Sequence, residues 1–537
     1  MTPNEPSTNG PGFAQGRGGM VTSPHPLASE SGARVLREGG NALDAAIAIG
    51  ATIAVVYPHF CGLGGDAVWI AADEEGRKDC FLGIGQSART LPGFDGSIPL
   101  RGPLSMLTSA CVVDSWHHAH DYSVRNWGGG LSFSSLLDDA IGYAVDGFPV
   151  TKSQNFWLDF RKSEVASWPG FGEVFMPGGI APQIGMPFRQ KELANSLQLI
   201  ARDGPRSFYE GELGARIAKG LLAAGSPLTS ADLAATRTRQ SKPASLLYRG
   251  MELLAPPPPT QGISTLAIMG ILSHFDLKEL APGGVDHIHL CVEAVKRAFL
   301  NRGLIADPDF INQPVEDWLN PAHLARSAQS IDLEHAMDWP QSFRPGDTVF
   351  FGATDQSGKS VSVLQSTYFD WGSGVVVGDT GILWQNRGAA FSLDPTHPNA
   401  IAPAKRPFYT LNPGLGLRDG KPALIYGTQG ADGQPQTLSM ILTRLIDFGE
   451  DPVTALTGPR FLLGKTFSDS RDTLKLEVDA GDAVFAALTA RGHMLSPIDR
   501  LSPLAGQAGI IVRQEDGSTA GAHDPRGEGI ALLVEPT

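Results

Sequence analysis

Thr348 is the residue of this 537-residue chain whose type and setting carry the most chemistry. It follows Asp347 and opens a β-branched and aromatic run, Val349 to Phe351. A turn at Asp355-Gln356-Ser357-Gly358 and a second run, Ser360 to Leu364, complete the pattern of a hairpin. A threonine in such a place is usually an ordinary strand residue. If the bond between Asp347 and Thr348 is cut, however, one residue gains both a hydroxyl and an α-amine. The amine can take the hydroxyl's proton, directly or through water, so nucleophile and base come from one residue without a histidine. A Ser-His-Asp hydrolase is unsupported, because no GxSxG elbow follows a strand.

Two histidine clusters compete for attention: His117, His118, His120 and Asp121 in WHHAHD, and Asp286-His287-Ile288-His289. Their flanks are helical, where such side chains cap, pack or face solvent, so no metal and no cofactor is expected. The widely spaced Cys61, Cys80, Cys111 and Cys291 form no CxxC or zinc pattern and read as free thiols. Net charge is 42 minus 56, or −14, without basic blocks, which argues against nucleic acid or an anionic membrane as partner. An anionic substrate would need a locally placed arginine.

These residues need a framework, and 42% apolar with 18% charged residues is the composition of a soluble globular protein. Residues 1–16 are polar and rich in Pro and Gly, without the apolar core of a secretion signal. They read as a disordered leader on a cytoplasmic protein. From Pro26 to Val56 the pattern is helix, Gly39-Gly40, helix, with Asn41 able to cap the second. That second helix contains Asp44, is too short to span a bilayer, and is crowded with small residues that suit a buried layer. The glycine-rich turn at Gly62, Gly64 and Gly65 precedes a strand and opens no helix, so it is not a nucleotide loop. Residues 131–330 read as mostly helical scaffold, with amphipathic stretches at Leu193 to Asp203 and His287 to Phe299 and a rigid spacer at Pro256 to Pro259. After Thr348 short strands dominate, with helices near Gln436 to Phe448 and Gly481 to Arg491. The class is α+β or layered α/β, and no internal repeat is visible.

Several segments carry a family resemblance: GGNALDAAIA at 39–48, YPHFCGLGGD at 57–66, DGPRSFYEGELGARIA at 203–218, LLAPPPPTQG at 253–262, SVLQSTYFDWGSGVV at 362–376, GILWQNRGAAFSLDP at 381–395, APAKRPFYTLNP at 402–413 and AHDPRGEG at 522–529. Through them the chain resembles the γ-glutamyltransferase branch of the N-terminal-nucleophile hydrolases over nearly its full length. The resemblance implies an α+β, four-layer αββα sandwich made as a precursor that cuts itself between Asp347 and Thr348. It implies a large subunit, 17–347 after the leader, interwoven with a small catalytic subunit, 348–537, of 537 − 347 = 190 residues. A dimer of such heterodimers is left open. Ser366 matches the hydroxyl that orients the nucleophile, and Gly430 and Ala431 match the oxyanion-hole residues.

The donor pocket departs from the glutathione-cleaving members. Gly85 stands at about the position of their carboxylate-binding arginine, and Ala390 replaces an acidic residue that binds the donor amine. Tyr409 and Thr410 replace paired serines, and Tyr368 replaces an asparagine. Arg387 lies where the family has a neutral side chain, and either grips a substrate carboxylate in a bidentate fork or pairs with a structural carboxylate such as Asp66. Arg387, Tyr368, Tyr409, Thr410 and Gln429 are the expected substrate contacts, for a small monoanionic amide. The motifs together most resemble the oxamate amidohydrolase subgroup, which implies hydrolysis of oxamate to oxalate and ammonia in allantoin nitrogen salvage. The alternatives are a γ-glutamyl hydrolase or transferase acting on glutathione-like donors and an acylase for larger amides. The segment ACVVDS at 110–115 departs from the subgroup's PGTVAG-like turn.

Overall fold

The computed structural model describes residues 12–311, 314, 317–339, 347–466 and 469–536. Helix α1 (Pro26–Arg37) starts at His25, whose ring accepts from Leu27 N, and gives way to Gly39 at φ 89°. Asn41 then caps α2 (Ala42–Val56) with a reciprocal box: its side chain accepts from Leu43 N and Asp44 N, while Asp44 accepts from Asn41 N. Every residue of α2 is buried. Its small side chains serve that burial, since a Cβ on Gly50 would lie 3.1 Å from Gln365 Oε1 and 3.2 Å from Phe351.

Among the described residues two seven-stranded sheets face each other. Their strands, in chain order, are β1 (Phe13–Arg17), β2 (Gly19–Ser23), β3 (Asp66–Ala72), β4 (Lys78–Gly83), β5 (Arg239–Ser241), β6 (Ala244–Tyr248), β7 (Met251–Ala255), β8 (Val349–Thr354), β9 (Ser360–Ser366), β10 (Gly414–Arg418), β11 (Lys421–Thr428), β12 (Ala508–Arg513), β13 (Ser518–His523) and β14 (Ile530–Val534). One sheet runs β1-β13-β12-β11-β10-β7-β6 and the other β14-β2-β8-β9-β3-β4-β5. Helices α1, α2 and α3 (Val112–Trp127) cover the second sheet, and α4 (Gly262–Leu272), α5 (Val285–Phe299) and α6 (Gln434–Ile446) cover the first. The result is the four-layer αββα sandwich, an α+β fold, and each sheet draws strands from both sides of Thr348.

Strand periodicity decides what faces the site. Val349, Phe351 and Ala353 pack toward α2, whereas Phe350 joins Leu364, Val68, Ile70 and Ile425 between the sheets. The β8–β9 register pairs Val349 with Gln365, so one residue further Thr348 stands opposite Ser366, which in turn pairs with Asp66 on β3. Thr348, Ser366 and Asp66 thus form a row that points between the sheets.

Two expectations need correction. The leader is shorter than 1–16, because Phe13–Arg17 pairs antiparallel with β13 and Phe13 packs on the core beneath α4 to α6; residues 1–11 lie outside the described residues. The stretch 131–330 is less purely helical than its amphipathic pattern suggests, since β5, β6 and β7 lie within it and complete the sheet edges. All four cysteines are free and buried. Among the described residues no helix is long and apolar enough to cross a membrane.

Candidate active site

The hairpin brings the bond between Asp347 and Thr348 against Ser366. The Ser366 hydroxyl donates to the Asp347 carbonyl oxygen at 2.7 Å and accepts from Tyr368 N at 2.7 Å, while Asp347 N donates to Tyr368 O at 2.8 Å. Those bonds fix the orientation of the carbonyl that Thr348 would attack. The Thr348 hydroxyl is buried and has no hydrogen-bond partner, so it is uncommitted to any structural role. Gly65 makes the arrangement possible, because a Cβ there would lie 2.3 Å from Ser366 O. This explains the glycine-rich turn that sequence reasoning could only exclude as a nucleotide loop. Burial, reinforced by the Asp370 carboxylate, holds the Asp347 carboxyl well above the usual carboxylate range, against the opposing pull of Arg161 and Arg101. Asp370 is itself clamped by Arg101 at 2.9 Å and Arg161 at 3.0 Å.

Across the intersheet space, β11 ends at Thr428 and the chain turns through Gln429, Gly430 and Ala431 into a short 3₁₀ turn, Ala431–Gly433, and α6. Gly430 has φ 117° and Ala431 φ 43°. A left-handed alanine costs roughly 1–2 kcal/mol, which the surroundings must offset. The reward is a peptide pair at the start of helical structure, where N–H groups favour negative charge. Asp347, Gln429 and Gly430 line one narrow cleft of about 70 Å³ with Trp157, Phe369 and Gln507.

Arg387 begins a 3₁₀ turn, Arg387–Ala390, and is completely buried. Its guanidinium carbon lies 3.9 Å from the centre of the Tyr368 ring and 4.2 Å from that of Tyr409, so the cation is held between two aromatic faces. Nη1 reaches Thr410 Oγ1 at 3.5 Å, whereas Nε and Nη2 have no hydrogen-bond partner. Asp66 accepts from the Tyr409 hydroxyl, and among the described residues Arg387 acts on it through charge rather than through a direct ion pair. Asp66 also accepts from Gly85 N at 3.0 Å and Cys111 N at 2.9 Å. Gly85 has no room for any side chain, because a Cβ would meet Ser109 O at 1.6 Å. An arginine cannot occupy that position in this backbone. Ala390 and Tyr368 line a second cleft, of about 310 Å³, with Phe391, Asn399 and Asp432.

Burial pushes the Asp66 carboxyl up to about 6 from 3.8, against the lowering effects of the Tyr409 hydroxyl and the Arg387 charge. A folded-state value above the unfolded one means that protonation favours the fold. The contribution is complete below about 3.8 and is lost as pH rises through about 6. Asp66→Asn is therefore expected to flatten the pH dependence of the melting temperature across that window, as read by calorimetry.

The histidines of both clusters have structural partners. His120 bonds Leu131 O at 2.9 Å, His118 packs on Phe81, and His287 accepts from Gly283 N at 2.9 Å while its other nitrogen meets Thr443 Oγ1 at 2.8 Å. His289 and His493 lie 2.9 Å apart with Glu293 nearby. Lys296 bonds one Glu293 oxygen at 2.8 Å and Arg297 the other at 2.5 Å, so the carboxylate charge is already paired on both sides. Sequence reasoning missed Gln261, buried behind the Ala431 turn, and Arg302 beside it. The one signal for them in the sequence is the PPPPTQG motif, which contains Gln261.

Residues 28–534 match the gamma-glutamyltranspeptidase family. The oxamate amidohydrolase proenzyme of Klebsiella pneumoniae is 45% identical over 519 residues, covering 96% of this chain and 98% of its own. An acylase proenzyme of a Pseudomonas species is 31% identical over 535 residues, covering 97% and 94%. Among solved structures, cephalosporin acylase from Bacillus halodurans superimposes with a TM-score of 0.89 at 30% identity, covering 100% of this chain and 99% of that one.

Proposed function

The chain belongs to the gamma-glutamyltranspeptidase family and is a hydrolase of amide C–N bonds, and from that premise we propose that it cuts itself before Thr348 and then hydrolyses a small anionic amide, with oxamate the substrate that fits best. The observation that carries the substrate is Arg387. A buried guanidinium with two unpartnered nitrogens is costly unless an anion completes it. With a tyrosine ring over each face, the edge of the fork is the direction from which a planar carboxylate would meet it. Tyr368 links that clamp to the cleavage site through its bonds to Ser366 and Asp347.

In self-cleavage, the Thr348 hydroxyl attacks the Asp347 carbonyl carbon, and the Ser366 hydroxyl donates to the oxygen as it becomes an oxyanion. Collapse breaks the C–N bond as the proton given up by the Thr348 hydroxyl passes to the leaving nitrogen, which becomes the α-amine; water then hydrolyses the ester left on the Thr348 oxygen. The products are a large subunit ending at Asp347 and a small one, 348–537, held together by their shared sheets. In turnover, the free α-amine takes the Thr348 hydroxyl proton as the oxygen attacks the amide carbonyl. The N–H groups of Gly430 and Ala431 stabilise the oxyanion, and the proton passes to the departing ammonia. Water releases oxalate from the acyl-enzyme. Gln429, Tyr409 and Thr410 line the substrate's path, and the setting is the cytoplasm and allantoin nitrogen salvage.

A γ-glutamyl donor is disfavoured by the closed position at Gly85 and by Ala390. The acylase reading draws on the second cleft beside Tyr368, which is large enough for a bulkier acyl group. Ammonia release from oxamate, measured beside amine release from a γ-glutamyl anilide and a glutaryl amide, separates the three; turnover of the γ-glutamyl donor alone would sink the oxamate assignment. Ser366→Ala is expected to slow self-cleavage roughly a hundredfold, the usual scale for losing one oxyanion donor. A time course by denaturing electrophoresis would reveal it.

A further inference from the structure

The motif PPPPTQG lies far in sequence from every residue assigned above, yet its glutamine ends in the middle of the site. Gln261 is completely buried. Its Nε2 donates to Thr410 O at 2.7 Å and to Ala431 O at 2.7 Å, so both protons of one amide are used on two different walls of the site. Its Oε1 accepts from Arg302 Nε at 3.1 Å and Nη2 at 3.0 Å. Arg302 in turn is ion-paired with Asp432, the residue after Ala431, and stacks between Phe299 at 5.2 Å and Phe408 at 4.8 Å. The amide is therefore saturated, and its orientation is fixed by the guanidinium behind it.

We propose that Gln261, oriented by Arg302, is a positioning residue that holds the Gly430-Ala431 turn in its left-handed geometry, so that the two N–H groups aim at the Thr348 adduct. The inference rests on the oxyanion role given to that turn under Proposed function. The two walls that Gln261 touches differ in backbone strain, which is confined to Ala431. The Tyr409-Thr410 segment is also held by Tyr409 N to Pro259 O at 2.8 Å, by Gln261 N to Tyr409 O at 2.9 Å and by the Tyr409 hydroxyl on Asp66. The Gly430-Ala431 turn has backbone ties as well, from Gln434 N to Ala431 O, from Gly433 N to Gly430 O at 2.6 Å and from Gln429 N to Gln507 O at 3.0 Å. Ala431 has φ 43°, however, and must be held against its preference; among the described residues, Gln261 is the side chain that donates to its carbonyl. Loss of the amide should therefore release the oxyanion turn and leave the carboxylate clamp in place.

Self-cleavage rate, melting temperature, and kcat and KM for oxamate would be measured on wild type, Gln261→Met, Gln261→Glu and Arg302→Lys. Methionine removes both donors, glutamate sets a carboxylate oxygen against two carbonyls, and lysine keeps the charge behind the amide but loses the fork. Displacing an oxyanion donor by about 1 Å costs roughly a hundredfold. The expected result is a kcat lower by about ten- to a hundredfold in the folded variants, with KM changed less than about threefold. A merely structural role would lower the melting temperature while leaving kcat per folded molecule unchanged, and a folded Gln261 or Arg302 variant with kcat within about twofold of wild type would overturn the inference. A wild type that neither cleaves nor turns over would overturn the nucleophile reading and this inference with it, whereas an active wild type beside an unaffected variant overturns this inference alone. Should the two Gln261 variants fail to fold, the Arg302→Lys kinetics decide in the same way.

Discussion

Arg387→Met is expected to raise KM for oxamate roughly a hundredfold with kcat little changed, because a bidentate charge-assisted pair contributes about 3 kcal/mol. The same substitution should make the unliganded protein more stable. Arg387 is wholly buried, and two of its nitrogens have no partner. The two ring contacts at 3.9 and 4.2 Å return part of the desolvation cost, about 0.5–2 kcal/mol each, but a methionine, though shorter, has no such cost to recover. A gain of about 1–2 kcal/mol is therefore expected, the trade of stability for function that a binding site imposes. Oxalate should raise the melting temperature of wild type and leave that of the variant unchanged. Calorimetry with and without oxalate tests both halves. A variant that is destabilised and still responds to oxalate would show that Arg387 is a structural cation.

Thr348→Ala should have the larger effect on rate. It removes the nucleophile of both reactions, so the chain stays whole and turnover falls by on the order of 10⁴ or more. The fold should tolerate the change, since the Thr348 hydroxyl has no partner to lose. Thr348→Ser keeps the oxygen and should still cleave, more slowly, because the lost methyl no longer restricts the rotamer at χ1. Cleavage in the alanine variant would remove Thr348 from the mechanism.

Much of this arrangement was legible in local sequence. The hairpin of Thr348 and Ser366 follows from a β-branched run, a turn and a second run, and its register needs only the count of residues between them. The Asn41 cap and the fully buried α2 follow equally from capping chemistry and small side chains. What could not be read depends on contacts between distant segments. Gln261 meets Thr410 across 149 positions and Ala431 across 170, and Asp66 meets Tyr409 across 343. No periodicity encodes such pairings. Phe13–Arg17 was misjudged for a related reason: a Gly-containing polar segment has little strand propensity of its own, and becomes a strand because β13 offers an edge to pair with. Gly85 was noticed as the loss of an arginine, but only the 1.6 Å approach to Ser109 O shows that the position is closed to any side chain.

The most direct test of the account is denaturing intact-mass spectrometry of purified wild-type protein, alone and quenched during oxamate turnover. The expected result is two chains that part between Asp347 and Thr348, with a transient oxalyl adduct confined to the 190-residue chain, 537 − 347, that begins at Thr348. A single uncut chain that still hydrolyses oxamate would contradict it.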